Sequence, residues 1–185
     1  MESLSPSLLV SGVGHEGATW SAVLHTTDTI CCHMQVLPNL IVVGVDPHGS
    51  DLAVEGLNKI RNASSDYKVV GGDTNKSEPK LGAYQVEGIG YDFLPNVLTF
   101  EGIRKAIAAR SKNGKEVNPR EDLVDYWFKT SDRDSFVMSR RMIREEGLLC
   151  GGSCGSAVFG ALEAAKELGM GKGKRVVVIL ASGTL

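Results

Sequence analysis

Residues 147–156 read GLLCGGSCGS, which puts Gly151, Gly152, Gly155, Ser153, Ser156, Cys150 and Cys154 into one short connection between helical-looking segments. A helix-to-helix turn needs about one glycine to redirect the backbone. Three glycines beside two serines instead suit a place that needs small side chains, close backbone approach and a hydroxyl together. Local chemistry gives Ser153 a competing role, because a serine ahead of an Ala-rich helix is a favoured N-cap. A second cluster, EGIGY, places Glu87, Gly88, Gly90 and Tyr91 together. From spacing alone it is either an ordinary glycine turn or the lining of a site.

A third cluster, GVGHEG, follows Leu8-Leu9-Val10 and matches G-x-G-x-x-G over Gly12, Gly14 and Gly17. Such loops converge backbone N–H groups on a phosphate at a helix N-terminus. The residues that follow, ATWSAVLHTTDTICCH, carry a poor helical stripe, and Asp46 lies beyond the usual ~20-residue spacing to a ribose-binding acid. A nicotinamide-dinucleotide module is therefore a distant alternative. Cys31-Cys32-His33 lacks a second ligand pair at finger or ribbon spacing, so no metal site is expected. Cys150 and Cys154 read as small residues filling a tight site.

These clusters need elements to position them. Asn39–Val45 (NLIVVGV) and Arg175–Leu180 (RVVVIL) are continuous β-branched runs, the pattern of buried parallel strands. Ser156–Leu168 predicts a helix with Val158, Leu162 and Ala165 on its core face and Gly169 as its C-terminal cap. Asp134–Glu146 predicts another, with Phe136, Met138, Met142 and Ile143 inward. Strands separated by helices make an α/β fold with a mainly parallel sheet and flanking helices. Asp46-Pro47 reads as a strand terminator. Segments 62–82 and 101–121 are polar and glycine- or charge-rich, and read as exposed insertions.

The 185 residues suit one ordinary core. A formal charge of -2 gives no general attraction to nucleic acid or anionic membrane. No apolar run approaches the ~18 residues of a membrane span, and the N-terminus lacks the features of a secretory signal, so a cytoplasmic protein with reduced thiols is expected.

Three stretches in order carry a resemblance: Val43-Gly-Val-Asp-Pro47, YQVEGIGYDFLPNVL over Tyr84–Leu98, and DYWFKTSDRDSFVMSRRMIREEGLLCGGSCGS over Asp125–Ser156. Together they closely resemble the cystathionine β-synthase group of the pyridoxal-phosphate (PLP) β-family enzymes, fold type II, the three-layer α/β architecture typified by tryptophan synthase β. EGIGYDF with GLLCGGS is closer to that group than to the cysteine synthases. The resemblance spans about Leu37 to Leu180. It implies a partial, C-terminal part of the catalytic core over 37–185, preceded by a divergent segment 1–36.

The resemblance implies PLP as cofactor, with amino-acid and thiol substrates in a β-replacement joining L-serine to homocysteine. Ser153 would donate a hydrogen bond to the pyridine nitrogen, and Gly151, Gly152 and Gly155 would let the ring approach. Glu87, Gly88, Gly90 and Tyr91 would line the substrate side. Gly14 and Gly17 would stand at the phosphate loop, where the family has Gly-Thr-Gly-Gly-Thr and this sequence has Gly-His-Glu-Gly-Ala. The family lysine that binds PLP covalently lies in a Ser-x-Lys-Asp-Arg context, and no lysine here has that context. The expectation is a truncated core, inactive alone, or a non-catalytic chain that forms a homodimer or pairs with a full-length synthase. Choice between serine and O-acetylserine, or homocysteine and sulfide, stays open.

Overall fold

In the computed structural model the residues described are 7–12, 40–50, 52–53, 60–62, 84–90 and 124–180. Strands β1 (Ser7–Gly12), β2 (Ile41–Pro47), β3 (Ile60–Asn62) and β4 (Tyr126–Thr130) are followed by helices α1 (Asp132–Glu146) and α2 (Gly152–Glu167), then strand β5 (Arg175–Val178). The sheet order is β3-β4-β2-β1-β5, and every neighbouring pair is parallel. Cys31, Cys32, Gly14, Gly17, Tyr91 and the segments 63–82 and 101–121 lie outside the described residues.

The centre of the sheet is built on β2. Val42, Val43 and Val45 are buried, as a strand covered on both faces requires. Gly44 pairs with Trp127 of β4, and a Cβ on it would meet the indole Cε3 at 2.5 Å. The missing side chain is the space that this ring fills. Asp125 locks the register at the start of β4, accepting from Val42 N at 2.8 Å while its own N–H donates to Val42 O at 2.8 Å. β1 falls within the segment 1–36, yet it pairs with both β2 and β5, setting Gly12 beside Val45. β4, with its mixed sequence YWFKT, is a strand that the residue pattern does not announce.

Helix α1 starts two residues earlier than its pattern predicts, at a reciprocal cap. Asp134 N donates to Ser131 Oγ at 3.2 Å, and that hydroxyl donates to the Asp134 carboxylate at 2.9 Å. It ends at Gly147 with φ 69°, where Leu148 N bonds back to Met142 O. Of the expected core residues, Met138 is buried and Phe136 packs at the core's edge. The remaining inward face consists of serines. Ser135 donates to Ser131 O and Ser139 to Cys150 O, each at 2.7 Å, so their hydroxyls are satisfied and their bulk is small.

The small-residue face explains where α2 sits. A Cβ on Gly155 would collide with backbone atoms of α1, Ser135 O and Ser139 N. A Cβ on Gly160 would meet Val45 Cγ2 at 2.6 Å. The buried residues of α2 are therefore all small (Ser153, Cys154, Gly155, Ser156, Ala157, Gly160, Ala161 and Ala164), while Leu162 is 48% exposed and Val158 and Ala165 are half-buried. The expected core face is corrected: bulky side chains come from the sheet, so the helix must present a smooth surface. Gly169, at φ 61°, ends α2 as expected, with Met170 N donating to Ala165 O at 2.9 Å.

The strand at Arg175 also needs correction. Val176 and Val177 point to opposite faces and are 40% and 51% exposed, so β5 is not buried. Among the described residues it stands at the edge of the sheet order, where its side chains have few neighbours on either face.

Replacing Gly155 by alanine tests the helix contact. Helix propensity alone would stabilise the chain by about 1 kcal/mol. Backbone collision predicts instead a loss of about 2–3 kcal/mol, read as a lower urea midpoint with unchanged slope.

Candidate active site

The N-cap of α2 is Gly151, in extended conformation, and Ser153 lies inside the first helical turn. The N-cap alternative for Ser153 is thereby corrected. The residue is buried, at 8% exposure, and faces the second glycine cluster. Gly88 stands opposite: a Cβ there would lie 3.7 Å from Ser153 Oγ and 3.9 Å from Ser153 Cβ. The two clusters, 65 residues apart in number (153 minus 88), form one place.

The turn at Val86–Gly90 is part of the core. Val86 and Ile89 are buried in the cluster that includes Val43, Val45, Phe128, Ala161 and Ala164. Between them the backbone turns outward, leaving Glu87 and Gly88 exposed. Gly88 and Gly90 have φ 78° and 85°, a left-handed conformation that a side chain disfavours. Gly90 is also hemmed in, since a Cβ would meet Pro47 Cγ at 2.5 Å and Ser50 Cβ at 2.9 Å. Gly152 meets the other end of the turn: its Cβ direction leads to Phe136 Cε1 at 2.8 Å and Val86 Cγ1 at 3.4 Å.

These distances divide the glycines by purpose. Gly152 is required by packing on Phe136 and Val86, and Gly155 by the approach of α1. The expectation that Gly155 admits a planar ring is therefore corrected, because α1 already occupies that side. Gly88 is left as the glycine whose bare backbone faces Ser153.

Several residues of the site escape a reading of the sequence. Asp132, first residue of α1, accepts from Gln85 N at 2.9 Å and from Val86 N at 3.1 Å, tying the turn's start to the helix. A capping-box pattern at Ser131 signals the helix start, but only tertiary structure brings Gln85 there. Thr130 and Ser156 hydroxyls bond at 2.6 Å, both fully buried, linking the end of β4 to α2. Asp46 is not merely a strand terminator. Its fully buried carboxylate accepts from Lys129 Nζ at 2.6 Å and Ala53 N at 3.0 Å. Pro47 and Thr130 end β2 and β4 at one edge, the carboxyl edge where parallel sheets bind ligands.

Cys150 and Cys154 are buried. Burial first, then the neighbouring Cys154, push the Cys150 thiol up, partly offset by Ser139. Among the described residues no three His, Cys, Asp or Glu are grouped for a metal.

The arrangement suits PLP by its chemistry. Ser153 is a neutral hydroxyl at a helix N-terminus, able to donate to a ring nitrogen, beside a backbone without a side chain at Gly88. A Cβ there would stand at contact distance from the hydroxyl.

Comparison with known proteins agrees in fold and sequence. No family model matches the chain. A hydrogen sulfide-producing enzyme of Fusobacterium nucleatum superposes with TM-score 0.58 at 20% identity, over 97% of this chain and 43% of that one. The O-acetylserine-dependent cystathionine β-synthase of Helicobacter pylori does so with TM-score 0.55 at 21% identity, over 96% and 40%. The fold is thus that of the fold type II PLP enzymes, in part. By sequence the chain is 50% identical to cystathionine β-synthase of Dictyostelium discoideum over 146 residues, 78% of this chain and 21% of that protein. The chain belongs to the cystathionine β-synthase family, whose members use PLP, and spans about a fifth of that relative's length.

Two outcomes follow from the site. Asp132→Ala strands two N–H groups and should cost about 1–3 kcal/mol, with faster amide exchange at Gln85 and Val86. Burial raises the folded Cys150 thiol above 9.0, its ordinary value in the unfolded chain. Between those two values the folded state holds more protons, so its contribution is whole below 9.0 and lost as pH rises toward the folded value. Urea midpoints above that pH should fall less steeply in Cys150→Ala than in the parent chain.

Proposed function

We propose that this chain forms the ring-nitrogen side of a PLP site for β-replacement, the reaction joining L-serine to homocysteine to give cystathionine in cysteine biosynthesis. The single observation that carries the reading is Ser153 facing the bare backbone of Gly88. When bound, PLP supplies an electron-withdrawing ring that acidifies the amino acid's α-carbon and eases departure of its β-substituent. Ser153 would donate a hydrogen bond to the ring nitrogen. A hydroxyl, unlike a carboxylate, would not hold a proton there, which suits elimination and thiol addition. Gly151 and Gly152 contribute backbone beside Ser153. Glu87 and Tyr91 would meet the amino acid and thiol, with Gly88 and Gly90 shaping the turn that carries Glu87.

The phosphate loop is assigned to Gly14 and Gly17. In support, β1 ends at Gly12 beside Val45, at the carboxyl edge shared with Pro47 and Thr130. Asp132 holds the turn at working distance through the Gln85 and Val86 amides.

The reading also assigns the chain a limit: acting alone, it is inactive. Lys129 commits its three N–H bonds to Asp46, Pro47 and Ser50. Lys166, paired with Glu163, and Lys172 and Lys174 are exposed and far along α2 or beyond it. Among the described residues, then, no lysine stands ready as the nucleophilic amine. A second reading, a non-catalytic chain that pairs with itself or with a full-length synthase, is favoured by the exposed Val176 and Val177 on the edge strand. No helix among the described residues is long and apolar enough to cross a membrane; the cytoplasm is the proposed location.

Titrating the purified chain with PLP tests the site. The expected result is reversible binding, weakened about 3–10-fold in Ser153→Ala, the equivalent of one hydrogen bond. Borohydride should trap no lysine adduct. Undetectable binding, or a reducible adduct on one defined lysine, would overturn this account.

A further inference from the structure

Apart from the candidate site, the end of β2 and β4 holds a buried ion pair. Asp46 and Lys129 are partners in the strand register, at 0% and 12% side-chain exposure. Lys129 Nζ donates to Asp46 Oδ2 at 2.6 Å, Ser50 O at 2.8 Å and Pro47 O at 3.3 Å. An ammonium has three donors, so this one is fully used. One carboxylate oxygen and two carbonyls around a positive charge make a small cation site, with lysine as its permanent occupant. Asp46 Oδ1 is buried and has no hydrogen-bond partner, which makes the carboxylate dependent on that ammonium.

The same residues are the seat of Gly90. The Asp46–Ala53 loop is closed by Ser50 N to Pro47 O at 3.2 Å, Leu52 N to Ser50 Oγ at 3.3 Å and Ala53 N to Asp46 Oδ2 at 3.0 Å. Pro47 and Ser50 are the atoms that a Cβ on Gly90 would strike. Two residues before Gly90 stands Gly88, opposite Ser153. A continuous series of contacts thus runs from Lys129 through the strand end to the Gly88 turn beside Ser153.

We propose that Lys129 is a positioning residue, a built-in cation that fixes the Asp46–Ser50 strand end and thereby the distance between the Gly88 turn and Ser153. The role of that distance in cofactor binding rests on the PLP reading; the mechanical link does not.

Hydrogen–deuterium exchange of the full chain, without PLP, reads the link directly. In Lys129→Met, amides from Val86 to Gly90 should exchange at least about tenfold faster, with smaller changes in the second half of α1. In Lys129→Ala, n-propylammonium should restore protection of the turn, and tetramethylammonium at equal ionic strength should not. Unchanged turn exchange, a uniform rise in both regions, or equal restoration by the two amines would overturn the proposal. Should both lysine variants fail to fold, Gly90→Ala in the parent chain tests the downstream contact. It must speed exchange at Val86–Ile89, and unchanged protection there would overturn the link. PLP affinity of the parent chain is measured separately, so loss of the cofactor reading and loss of the mechanical link are distinguishable.

Discussion

The seating of the Val86–Gly90 turn against the first turn of α2 is the contact on which the site depends. Val86 packs beside Gly152, Ile89 enters the core, and the backbone between them is left facing Ser153. The turn makes no ladder with the sheet, so other groups must hold it. Asp132 grips the amides of Gln85 and Val86 at its start, and the Pro47–Ser50 loop stops its last glycine. A turn held at both ends by polar contacts and in its middle by buried side chains has little freedom to drift.

Close backbone approach is the second condition. Gly155 lets α2 rest on the backbone of α1, and Gly160 lets it rest on Val45. The serine stripe of α1 completes this by satisfying its own hydroxyls on nearby carbonyls. Without these small residues the start of α2 would move outward, and Ser153 with it. Three of the glycines in a catalytic-looking segment are thus explained by packing or conformation, and the cofactor's share of the motif is narrower than its spelling suggests.

Much of this is legible in the amino-acid sequence. The β-branched run of β2, both helices and the glycine cap at Gly169 follow from pattern and propensity, and the family motifs join Ser153 and EGIG in one site. What stays hidden has physical causes. β4 is short and mixes Lys129 and Thr130 with aromatics, so neither alternation nor a continuous apolar run marks it. The buried face of α2 is alanine and glycine, so its larger residues advertise the wrong side. Asp46 reads as a terminator because its partner lies on a neighbouring strand, 83 residues along the chain. Asp132 is a helix-start acid by sequence, and its second use appears only once Gln85 is alongside. β5 reads as buried because its composition fits a covered strand, whereas among the described residues it pairs with β1 alone and its valines stay exposed.

A crystal structure of the chain soaked with pyridoxine 5′-phosphate, which keeps the ring and phosphate but has no aldehyde, tests the central claim most directly. The ring should lie between Ser153 and Gly88, its nitrogen within about 2.7–3.2 Å of Ser153 Oγ. A ring bound elsewhere, or one whose nitrogen points away from that hydroxyl, would contradict it.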